Sequence, residues 1–93
     1  MQIGISKVKL SIPGSFSLKD KRQISESLIS KIRRKFNVSI AEVDYRDSCR
    51  QSLIAIVAVN TDKSHLFATL SNVVEFIGKE PRIVIEDYEV EVV

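Results

Sequence analysis

The chain has 93 residues with a formal net charge of +2, and its 44% hydrophobic and 28% charged content excludes a disordered segment and suits one domain, residues 1–93, burying about two-thirds of the surface its unfolded form exposes. A lone cysteine, Cys49, excludes an intrachain disulfide and has no neighbouring ligand for a metal, and the longest apolar run, Leu53 to Val59, falls far short of the roughly 20 residues a membrane helix needs. The N-terminus also lacks a basic leader followed by an apolar block, so the expected location is cytoplasmic, with no membrane contact.

Val8, Leu10 and Ile12 alternate with Lys7, Lys9 and Ser11, the period of a half-buried strand, which Pro13-Gly14 ends. Ser17 followed three residues later by Asp20 resembles a capping box, and Ile24, Leu28, Ile32 and Phe36 recur every four residues, predicting a helix from about Leu18 to Phe36 with Asn37 as a left-handed stop. Val38 to Tyr45 alternates as a second strand, Arg46 to Gln51 forms a polar turn, and Ser52 to Val59, apolar on both faces, reads as an inner strand. Asn60-Thr61-Asp62 caps a second helix carrying Leu66, Leu70, Val73, Val74 and Ile77, closed by Gly78 and Pro81, and Ile83 to Val93 is the last strand.

This order, with right-handed crossovers, predicts an α+β, ferredoxin-like βαββαβ sandwich: a four-stranded antiparallel sheet in spatial order four, one, three, two, with both helices on one face. Lys7, Lys9 and Ser11 then point to an open sheet face, beside one of the two apolar sets of strand three.

Charge is unevenly distributed. Residues 1–36 hold nine Lys and Arg against two acids, a net +7, and residues 37–93 hold five against ten, a net −5, an asymmetry that favours an anionic partner such as nucleic acid. Ser17-Leu18-Lys19-Asp20-Lys21-Arg22 puts three cations in the first turns of a helix whose free amides already carry about half a positive charge. Such an end attracts phosphate. The competing reading pairs Lys19, Lys21 and Arg22 with Glu86 or Glu89 of the last strand. On a helical wheel Lys21 falls inside the apolar arc, so it must snorkel or meet a partner. Lys19, Arg22 and Arg33 share one flank, the two arginines about 16 Å apart along the axis, whereas Lys31, Arg34 and Lys35 take the opposite flank.

Signals for catalysis are few. His65 is the only histidine and has no metal or triad spacing to a partner, and there is no glycine-rich phosphate loop, serine elbow or metal cluster. The alternating Glu89 and Glu91 suit a solvated edge strand. The two central strands lack the aromatics with which RNA-recognition motifs of this fold stack bases, leaving only Tyr45 and Tyr88 on the edge strands.

At Ile12-Pro13-Gly14, Ser17-Leu18-Lys19-Asp20-Lys21-Arg22 and Phe36-Asn37-Val38-Ser39-Ile40-Ala41-Glu42-Val43-Asp44 the chain resembles the YlxP-like family of small bacterial proteins of unknown function. The resemblance covers nearly the whole chain. It implies a ferredoxin-like fold and a bacterial cytoplasmic protein often encoded near translation and ribosome-maturation factors. It supplies no catalytic residues and matches the family's basic motif at Lys19, Lys21 and Arg22. Relatives often carry Trp-Gln in the central hairpin, where this chain has Cys49-Arg50.

The resulting expectation is a non-enzymatic accessory protein, without metal or cofactor, that binds structured RNA or a ribosomal subunit through phosphate contacts from Lys19, Lys21, Arg22 and Arg33, assisted by Lys7 and Lys9. The alternative is a protein-interaction module forming a homodimer through the open sheet face. Acyl-phosphate hydrolysis, which the fold permits by analogy, needs a glycine-rich anion loop with an arginine where this chain has Pro13-Gly14-Ser15-Phe16.

Overall fold

The computed structural model describes residues 1–93 as β1 (Gln2–Ser11), α1 (Leu18–Lys35), β2 (Ser39–Asp44), β3 (Gln51–Asn60), α2 (Lys63–Gly78) and β4 (Val84–Val92). The strands form one antiparallel sheet in the order β2-β3-β1-β4. This is the ferredoxin-like arrangement, and its layering follows from alternation. Val8 and Leu10 of β1, Ile40 of β2 and Ile54, Ile56 and Ala58 of β3 are buried against Leu28, Ile29 and Ile32 of α1 and Leu66, Leu70, Val73 and Ile77 of α2. No helix is long and apolar enough to cross a membrane.

Each helix starts at a side-chain cap. Ser17 Oγ accepts from the Asp20 N–H at 3.1 Å, and Asp20 Oδ2 accepts from the Phe16 N–H at 3.2 Å, so the reciprocal bond of the box reaches one residue further back than usual. Asp62 Oδ1 accepts from the N–H groups of Ser64 and His65 at the start of α2.

One local expectation needs correction. Asn37 is not left-handed: α1 ends because Phe36 turns extended, at φ −123°, where its half-buried ring packs edge-on against Phe76 with centroids 5.8 Å apart. The one non-glycine residue with positive φ is Tyr45, at 60°, beside a register shift that bulges β2 between Glu42 and Asp44.

The first strand also begins earlier than its alternation indicates. Gly4 and Ser6 occupy helix-facing positions, so the pattern there is inverted, with Ile3 and Ile5 turned to the open face. Small residues are required at those positions because α2 crosses close by: a Cβ on Gly4 would lie 2.7 Å from Leu70 Cδ1 and 3.0 Å from Leu66 Cγ, and both leucines are buried. Ser6, fully buried, donates its hydroxyl to the Glu89 carbonyl at 3.0 Å. Gly4→Val should therefore destabilise the fold by about 1–3 kcal/mol through overpacking, read as a lowered midpoint in urea at unchanged slope; an unchanged midpoint would show that the two leucines yield freely.

Candidate functional site: a cationic groove between α1 and β2

Lys21 meets its partner inside the protein. It lies one helical turn before Ser25 and two before Leu28 on the buried face of α1, and it has no solvent exposure. Its ammonium donates to Glu42 Oε2 at 3.0 Å and to the carbonyls of Tyr45 at 2.8 Å and Gln51 at 3.2 Å, with the Arg46 carbonyl further off at 3.4 Å. An ammonium has three N–H donors, so the nearer three acceptors satisfy it. Glu42 reaches it because alternation in β2 sets residue 42 on the helix-facing side with Ile40, opposite Ile54 of β3. The same carboxylate oxygen accepts from Ser52 Oγ. The acid that pairs with Lys21 thus comes from β2, not from the last strand.

The consequence for the anion site is direct. Lys21 leaves the set of accessible cations, because burial and its acceptors satisfy it completely. The free end of α1 is also partly closed, since Ser17 Oγ takes the Asp20 N–H and the Asp20 carboxylate sits beside the first turn. What remains is the flank. Arg22, Glu26 and Arg33 of α1, Ala41 and Glu42 of β2 and Arg46 of the following turn line a groove of about 340 Å³. Glu42 is neutralised by Lys21, which leaves Glu26 as the one uncompensated acid against three guanidinium groups. The structure's two ion pairs are Lys21 with Glu42 and Arg82 with Glu80, so none of these arginines has a carboxylate partner. Arg33 Nη2 donates to the Ile40 carbonyl at 3.0 Å, which fixes the side chain along the outer edge of β2 and blunts that edge against strand addition. Its remaining donors are free. Lys19 is exposed and lies three residues before Arg22, hence beside it on the helix surface.

Lys7 and Lys9 are elsewhere. They face the open side of the sheet, and the register sets them opposite Glu89 and Asp87 of β4. Lys9 also lies over the Tyr45 ring, 5.3 Å from its centroid. The acidic strand therefore runs beside β1, where it offsets these lysines, and does not screen α1. Of the six residues singled out in the sequence, Lys19, Arg22 and Arg33 come together, Lys7 and Lys9 form a separate pair beneath the sheet, and Lys21 is buried. Sequence reasoning passed over Arg46 and Arg50, although the topology alone brings the β2–β3 turn to the same end of the sheet as the start of α1.

The shifted carboxyl groups belong to the ends of α2. The Ser64 hydroxyl, followed by the His65 and Ser64 N–H groups, holds Asp62 below its ordinary pKa, and the Arg82 side chain does the same for Glu80. His65 is exposed and serves the cap through its backbone.

The fold and the groove together define a small ferredoxin-like domain that presents unpaired arginines along one helix flank. The chain belongs to the family described as Protein of unknown function (DUF503), whose model matches residues 3–90. It is 32% identical over 81 residues to the Uncharacterized protein YlxP of Bacillus subtilis (strain 168), covering 87% of this chain and 88% of that protein. Two designed proteins share the fold. De novo designed protein Foldit4 matches with a TM-score of 0.55 at 11% identity, over 100% of this chain and 97% of its own, and the solution structure of de novo designed protein LFR1 1 with ferredoxin fold matches with a TM-score of 0.56 at 16% identity, over 98% and 86%.

The Lys21 network yields a prediction that separates an ion pair from a tie between segments. Lys21→Met should cost about 3–5 kcal/mol in chemical denaturation, the usual loss when one member of a buried pair is removed. Lys21→Met with Glu42→Leu should recover only part of this, because the Tyr45 and Gln51 carbonyls still lack a donor. Full recovery in the double variant would mean that the carbonyl bonds contribute nothing.

Proposed function

We propose that the protein is a non-enzymatic accessory protein that binds structured RNA through the groove between α1 and β2. The observation that carries this reading is the convergence of Arg22, Arg33 and Arg46 without carboxylate partners on one polar groove. Guanidinium groups donate to phosphate in a planar fork and lose little hydration in doing so, which suits them to a nucleic-acid backbone. Arg22 and Arg33 stand about 16 Å apart along α1, a span that suits successive phosphates across a groove. Recognition of that kind reads the shape of an A-form helix through phosphates and 2′-hydroxyls, and does not need aromatics on the sheet. Lys19 extends the contact toward the start of α1, and Lys7 and Lys9, offset by Glu89 and Asp87, add little. The resemblance to a family often encoded with ribosome-maturation factors makes ribosomal RNA the first substrate to test.

On sucrose gradients of cell extract the tagged protein should comigrate with one ribosomal subunit at low salt and leave it at moderate salt. A variant carrying Arg22→Ala, Arg33→Ala and Arg46→Ala should stay at the top of the gradient. In direct titration with the RNA so identified, the log–log salt slope of this variant should be shallower by about 2–3, the loss expected for three phosphate contacts. An unchanged slope and affinity would reject the groove, and a parent protein found at the top at both salts would count against stable ribosome association.

A second reading, a homodimer through the open sheet face, has its own observation. Leu53, Ala55, Val57 and Val59 of β3 share that face with Ile3 and Ile5; Val59 is exposed and the others are half-buried, while both helices pack on the other face. In a twofold contact the Lys7 and Lys9 row of one copy would meet the Asp87 and Glu89 row of the other. Light scattering should give twice the monomer mass at high concentration, falling to the monomer for Val57→Asp; a monomer throughout would remove this reading, and it leaves the helix flank unaffected either way.

A further inference from the structure

Phe16 is the most exposed aromatic residue of the protein, with 76% of its surface open to water. A single exposed apolar side chain is unremarkable in itself. Its setting is what distinguishes it. The loop that carries it is held at the ring and just before it: the Ser15 N–H donates to the Ile12 carbonyl at 3.0 Å, Ser15 is fully buried with its hydroxyl on the Ser17 carbonyl at 3.1 Å, and the Phe16 N–H donates to Asp20. The ring is thus presented to solvent from a fixed backbone. Arg50, from the β2–β3 turn, stacks its guanidinium against the ring at 5.0 Å from the centroid and fixes that position by donating Nε–H to the Ser15 carbonyl at 3.0 Å. The Ile12 N–H in turn bonds the Arg50 carbonyl at 2.8 Å.

Two of the groove's three arginines, Arg22 and Arg46, belong to the same end of the fold, while Arg33 lies toward the far end of α1. Lys19 and Arg22 begin α1 directly after Phe16, and Arg46 and Arg50 come from the turn that Lys21 ties to that helix. The acids nearby are Asp20 and Asp44, which accept from the Phe16 and Tyr45 N–H groups, and the exposed Asp47. Of the other exposed rings, Tyr45 shares the turn but carries Lys9 over its face, Phe67 lies on α2, and Tyr88 lies on the acidic β4.

We propose that Phe16, backed by Arg50, is a stacking platform for an unpaired nucleobase of the RNA whose phosphates the groove holds. The inference rests on the RNA reading and adds to it the kind of RNA: a helix adjoining a loop or bulge, whose splayed base lies on the ring while the paired region lies along α1. Every base has a π face, so the platform carries little sequence preference. It also restores, from a loop, the aromatic contact that the sheet of this protein cannot make.

The test compares two RNAs with equal numbers of phosphates, a hairpin with an unpaired loop and a blunt duplex, by fluorescence anisotropy over a series of salt concentrations. Phe16→Ala should weaken hairpin binding by roughly 5- to 100-fold, the worth of one base on an aromatic ring, with duplex affinity, salt slope and thermal unfolding unchanged; Phe16→Trp should retain hairpin binding. Equal affinities of parent and Phe16→Ala for the hairpin would overturn the platform and leave the RNA reading intact, as would an equal loss on both RNAs. A parent that binds neither RNA would remove the RNA reading and the platform together. A photoreactive phenylalanine analogue at position 16 in cells should give RNA adducts, and adducts to protein alone would overturn the proposal in favour of a protein partner.

Discussion

A lysine ammonium without access to water organises one whole end of this protein. Leaving a charge of that kind uncompensated in a low-dielectric interior costs several kcal/mol, so the chain around it must supply acceptors, and it does so from three places: Glu42 in β2, the Tyr45 carbonyl at the end of that strand and the Gln51 carbonyl at the start of β3. The three contacts bind the hairpin between β2 and β3 to the first turn of α1. They also account for the positive φ of Tyr45, a conformation unfavourable for a bulky residue, because the turn it makes delivers the closest of the carbonyls. The position of Arg46 and Arg50 follows from that turn.

The pairing decides where net charge is left over. Glu42 is cancelled by Lys21, while Asp87 and Glu89 are drawn by strand order to the opposite layer, beside Lys7 and Lys9. The +7 of the first 36 residues is therefore compensated in part beneath the sheet and inside the core, but not along the flank of α1 where Lys19, Arg22 and Arg33 stand with Arg46, nor at Lys31, Arg34 and Lys35 on the opposite flank, none of which has a carboxylate partner. A whole-chain charge of +2 conceals this separation.

Much of the fold was legible because its apolar periods are regular: the spacing of Ile24, Leu28 and Ile32 and the two-sided strand Leu53 to Val59 permit few alternatives. The start of β1 was not, because a close helix crossing demands Gly4 and Ser6 where a core strand ordinarily shows large side chains. The demand of Lys21 for a partner was readable from the helical wheel, and the identity of that partner was not, since a bulge and a left-handed residue in the turn set which carbonyls arrive. The candidate site was half legible. A wheel groups Lys19, Arg22 and Arg33, and the topology brings the turn carrying Arg46 and Arg50 to the start of α1, but the seating of the Phe16 ring against Arg50 depends on side-chain bonds, namely Ser15 to Ser17 and Arg50 to Ser15.

The central proposal is that the flank of α1, with the turn that Lys21 ties to it, forms a surface for RNA. Amide and arginine side-chain NMR resonances, followed while a folded RNA hairpin is titrated into the protein, test it most directly. The account predicts that shifts concentrate in residues 15–22, in Arg33 and in the 45–50 turn, with the Nε–H signals of Arg22, Arg33, Arg46 and Arg50 moving most while α2 and β4 stay still. Shifts centred on Leu53, Val57 and Val59 of the open sheet face, or on α2, would contradict it.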